Sequence, residues 1–134
     1  GYTSPRDITR KCLPEYLPGM PLELTYAIGR LGAKLFGHFD PEDADCEAAI
    51  AQSKVPIFFI HGDVDGFVPY EMGKRNYEAC HVKGSKFLTV HGAAHAVSYY
   101  HDNDAYTREA TAFLQDCLTR RHFLWPPEEP LENA

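Results

Sequence analysis

The chain has 134 residues, 44% of them hydrophobic and 24% charged, with a formal net charge of -6. That length and apolar content suit one domain with a buried core and exclude a disordered segment. The acidic balance argues against a nucleic-acid partner, whose phosphates require clustered Lys and Arg, and no apolar stretch is long enough to span a bilayer.

The first residues read as the interior of a longer protein, and none of the 134 residues is expected to act as a secretory signal. Ser4-Pro5-Arg6-Asp7 supplies an N-cap, a proline at the first helical position and an early acid, so a helix is expected from Pro5 to Tyr16. Pro18-Gly19 breaks it. A second helical pattern follows, with Leu24, Ile28, Leu31 and Leu35 at three- and four-residue steps, a stripe expected to cover an apolar surface. Asp40-Pro41 repeats the capping logic and predicts a shorter helix through Cys46, Ala49 and Ile50, ending near Ser53.

Val55-Pro56-Ile57-Phe58-Phe59-Ile60-His61-Gly62 has no polar alternation over its apolar run, the pattern of a strand covered on both faces. It empties into Asp63-Val64-Asp65-Gly66-Phe67-Val68-Pro69. Tyr70 to Cys80 reads as a surface helix, and Lys86 to His91 as a second strand stopped by Gly92. Strand, helix and strand within about thirty-five residues predict a right-handed crossover and two parallel strands, 57–61 and 86–91, in an α/β fold. A last helix is expected from near Asp104, with Tyr106, Ala110, Phe113, Leu114, Cys117 and Leu118 on its apolar face, and Tyr99 and Tyr100 read as packing residues. Residues 1–122 form the body, and 123–134, with Trp125 and several prolines, an extended tail.

Cys12, Cys46, Cys80 and Cys117 contain no C-x-x-C pair and read as reduced, partly buried thiols. Their near-even spacing carries no repeat, because the flanking segments share no pattern. Localisation is left open.

Parallel neighbouring strands lie about 4.8 Å apart and end on one edge, so the loops after Ile60 and His91 emerge together. Asp65 and His95 are therefore expected to meet. An Asp accepting the imidazole Nδ1–H fixes the tautomer and leaves Nε2 free to take a proton from a nucleophile. None of Ser4, Ser53, Ser85 and Ser98, and no Cys, lies in a G-x-S-x-G turn between strand and helix. Asp63 is expected to bond loop amides, and His61 to pack or hydrogen-bond at the strand end. Asp63-Val64-Asp65-Gly66 has the start of a calcium loop but Lys74 where the bidentate Glu belongs. His91 and His95 have the spacing of a helical zinc pair, yet Gly92 after a strand argues against a helix there. No metal and no cofactor are expected.

The blocks VPIFFIHGDVDGFVPYEMGKRNYEAC and KFLTVHGAAHAVSYYHDNDAY resemble the C-terminal part of an α/β-hydrolase-fold serine hydrolase of the prolyl-oligopeptidase or serine-aminopeptidase type. Gly1-Tyr2-Thr3-Ser4-Pro5 resembles the segment after the strand that follows the nucleophile strand. The resemblance covers the chain apart from its tail; Ala94 departs from it slightly, at a position where glycine is commoner. It implies that Asp65 is the triad acid and His95 the triad base, with the serine and oxyanion-hole loop upstream of Gly1. It also implies that 13–50 is a cap-like segment walling a pocket for a small-molecule or peptide acyl substrate, cleaved at an ester, thioester or peptide bond. The 134 residues alone would then be inactive, and self-association or association with the missing N-terminal part would complete the fold. The competing reading is a non-catalytic α/β module that binds a ligand or partner through its strand-end loops.

Overall fold

The computed structural model describes residues 2–119, and the expected tail with Trp125 lies outside them. The chain is α/β, with helices flanking a two-stranded parallel sheet. Helix α1 (Pro5–Tyr16) begins where Ser4 Oγ accepts the Asp7 amide. Helix α2 (Leu22–Gly32) passes into a π turn, Ala33–Gly37, which closes on His38 in the left-handed region. The expected single helix after Asp40 is divided. Asp40 caps a 3₁₀ turn, Pro41–Asp43, and Asp45 caps helix α3 (Cys46–Ala51). Each acid takes the amide two or three residues ahead, so two caps in close succession break the run into two short pieces.

Strand β1 (Phe58–Gly62), helix α4 (Tyr70–Glu78) and strand β2 (Lys86–Val90) form the parallel crossover unit. Phe58 pairs with Lys86 and Gly62 with Val90. Side chains alternate across the sheet. Phe59 and Phe87 meet α4 through Tyr77, with ring centroids 5.7 and 5.5 Å away, while Phe58 stacks on Phe113 of helix α6 (Asn103–Thr119) at 5.2 Å. A four-residue helix, α5 (Ser98–His101), precedes α6; no periodicity marks so short an element. Within it Tyr99 packs edge-on against Tyr106, and Tyr100, though 84% exposed, meets the Tyr99 ring edge-on with centroids 5.5 Å apart.

The core is small: Val68, Val90, Ala93 and Phe113 are buried around the sheet, Leu13 and Tyr26 between the first helices. Among the described residues of the chain, the α2 stripe finds no apolar surface to cover. Leu24, Ile28, Leu31 and Leu35 are 56–62% exposed, and α2 turns Tyr26 inward under the Arg6 guanidinium, 4.6 Å from the ring. The apolar face of α6 is likewise only half used, with Phe113 buried and Leu114 and Leu118 exposed.

Candidate active site

Two loops leave the same edge of the sheet, 63–69 after β1 and 91–97 after β2. They are joined along their length: the Asp63 amide donates to Val90 O at 3.3 Å, and the Val64 amide to Ala93 O at 3.3 Å. Gly62 is required here because a Cβ would overlap the Ala93 carbonyl. Gly92 supplies the left-handed turn out of β2, with φ 77°.

Asp65 sits at the centre of the joined loops. Its Oδ1 accepts the amides of Phe67 and Val68 at 2.9 and 2.8 Å, closing the turn around the carboxylate. Its Oδ2 lies 2.9 Å from His95 Nδ1. A carboxylate only accepts, so Nδ1 carries the proton, and in the neutral imidazole Nε2 holds the lone pair. The Asp65 side chain is 5% exposed and that of His95 48%, which hides the acid and leaves the imidazole open to a reactant. Burial pushes the Asp65 carboxyl up, but the His95 bond and the two amides outweigh it and hold the group below its ordinary value. The Phe67 ring lies against the His95 imidazole, centroids 4.9 Å apart. Ala96, next to His95, takes a left-handed φ of 57°, a conformation costing a non-glycine residue about 1 kcal/mol. A shallow pocket of 190 Å³ opens here, with Gly62, Val68, His95, Ala96 and Ser98 among its lining.

Asp63 does not reach His95. It accepts the Gly92 amide through Oδ1 at 2.7 Å, the backbone contact expected of it, and its Oδ2 pairs with His91 Nδ1 at 2.8 Å, which was not expected. These two contacts, His91 foremost, lower its pKa. His61 is buried, with Nε2 3.0 Å from Val68 O. His91 and His95 are thus engaged by different carboxylates, and among the described residues no three His, Cys, Asp or Glu side chains converge as a metal site.

A model of the TAP-like protein family of α/β-hydrolases matches residues 39–122, which span the sheet, both loops and α6. The chain belongs to the α/β-hydrolases of that family. Comparison with curated proteins and with solved structures gave no match. In this α/β-hydrolase chain the matched region contains the whole Asp65–His95 arrangement. The first two helices lie outside it.

Proposed function

We propose that the chain supplies the acid and base of a serine-hydrolase triad, Asp65 and His95, in an enzyme of the prolyl-oligopeptidase-like branch. The reading makes these residues the C-terminal part of the hydrolase domain, with the nucleophilic serine in a G-x-S-x-G turn outside the 134 residues. The observation that carries it is the bond from exposed His95 to buried Asp65 at adjacent parallel strand ends. His95 Nε2 takes the serine proton as the serine oxygen bonds to the acyl carbon. It then returns that proton to the leaving alcohol, thiol or amine as the scissile bond breaks. Water repeats the sequence to free the acid, and Asp65 stabilises the imidazolium throughout.

The test uses the complete gene product with a fluorophosphonate label and a p-nitrophenyl ester. His95→Ala should lower kcat by about 10³-fold or more with little change in KM. The 134 residues alone should show no turnover above their own His95→Ala variant, because an unassisted imidazole lacks a positioned nucleophile. Undiminished turnover by the full-length variant would remove the triad assignment and leave the binding-module reading. His95-dependent turnover by the 134 residues would overturn the placement of the serine.

A further inference from the structure

His61 is the one buried histidine among the described residues, and proton transfer at Nε2 of His95 makes no use of it. Strand alternation aims it at α4 on the same side as Phe59. Its Nε2 is 3.0 Å from the Val68 carbonyl, which only accepts, so Nε2 carries the proton. On the other side of the ring, Nδ1 lies against Gly73, where a Cβ would overlap it.

Val68 is thereby held at both ends of its residue. His61 grips its carbonyl, and its amide donates to Asp65 Oδ1. The same Nε2 is 3.4 Å from Asp65 Oδ2, the oxygen that receives His95 Nδ1–H. Packing alone would ask only for a ring of this size. A buried N–H aimed at the loop carbonyl that closes the acid's turn does more, because it sets where that turn sits on the sheet.

We infer that His61 is a positioning residue for the acid–base pair: its Nε2–H clamps the 65–68 turn at Val68 O and so aligns Asp65 with His95. Any effect on turnover rests on the serine-hydrolase reading, whereas the alignment is measurable on this chain without catalysis.

The experiment is proton NMR of the full chain labelled with ¹⁵N-histidine, following the low-field Nδ1–H resonance of His95, assigned by its disappearance in His95→Ala. Gln keeps an N–H donor at the reach of Nε2, and Met has the same length with none. His61→Gln should keep the resonance. His61→Met should lose it or exchange it with solvent at least about tenfold faster. Failure of His61→Met to fold, with His61→Gln intact, reports the same need for the donor. A His61→Met chain that keeps the resonance at the wild-type exchange rate overturns the proposal, and so does a His61→Gln chain that loses it or does not fold. If the resonance behaves as expected while the complete gene product hydrolyses nothing, the hydrolase reading fails and the positioning role stands.

Discussion

At the scale of single residues, the carboxylates of the two loops are held ionised by what they accept. The pKa of Asp65 is lowered, burial opposing and His95 with two amides prevailing, and that of Asp63 is lowered chiefly by His91 and the Gly92 amide. A carboxyl depressed on folding contributes stability that is complete above its unfolded pKa, near 3.9, and is lost as pH falls through the folded value. The thermal midpoint should therefore hold from pH 7 to about 5 and fall steadily below about pH 4. Asp63→Asn should flatten part of that fall, because the amide no longer titrates. Circular dichroism melts at pH 7, 5, 4 and 3 check this, and a midpoint unchanged between pH 5 and 3 would contradict it.

At the scale of elements, α4 keeps a glycine where its own propensity argues for alanine. Gly73 is buried in the middle of the helix, and replacing an interior glycine by Ala ordinarily gains about 1 kcal/mol. Here a Cβ meets His61, whose far side is tied to Val68 O, so the ring has no free direction in which to yield. Overpacking of this kind costs about 1–3 kcal/mol and outweighs the helical gain. Gly73→Ala should lower the thermal midpoint; a higher one would show that the ring moves aside. The elements also differ in how far the sequence could be read. Ser4-Pro5 placed the start of α1, and the apolar run before Gly62 and the β-rich run before Gly92 placed both strands to within a residue, because those signals are local. The Asp63–His91 bond was hidden because it depends on register. β1 and β2 pair residues 28 apart, which carries on to 63 and 91 just beyond the strand ends, and strands without alternation do not announce their register. Asp65 and His95 needed less, since any neighbouring parallel pair brings their loops to one edge. The π turn after α2 and the four-residue α5 are too short to carry a periodic pattern.

At the scale of the whole molecule, the described residues leave more apolar surface uncovered than a stable monomer of this size usually does. Leu24, Ile28, Leu31 and Leu35 line one face of α2 and its π turn, Phe36 is 86% exposed beside them, and Leu114 and Leu118 lie open on α6. The sheet has two strands among the described residues, so both carry an outer edge with unpaired amides and carbonyls. Two parallel strands with their helices seldom suffice for independent stability, and contiguous exposed side chains of this kind mark an association surface. We propose that these surfaces are covered in solution, either by a second copy of the chain or by the N-terminal part that the hydrolase reading requires. Multi-angle light scattering of the purified chain should give a mass above 15.1 kDa that rises with concentration, unless intact-mass analysis finds an upstream fragment bound. Ile28→Lys combined with Leu31→Lys puts two charges in the stripe and should shift the chain toward monomer while leaving the Asp65–His95 loops intact. A folded, strictly monomeric 15.1 kDa species with nothing bound would contradict the proposal and favour a self-sufficient binding module.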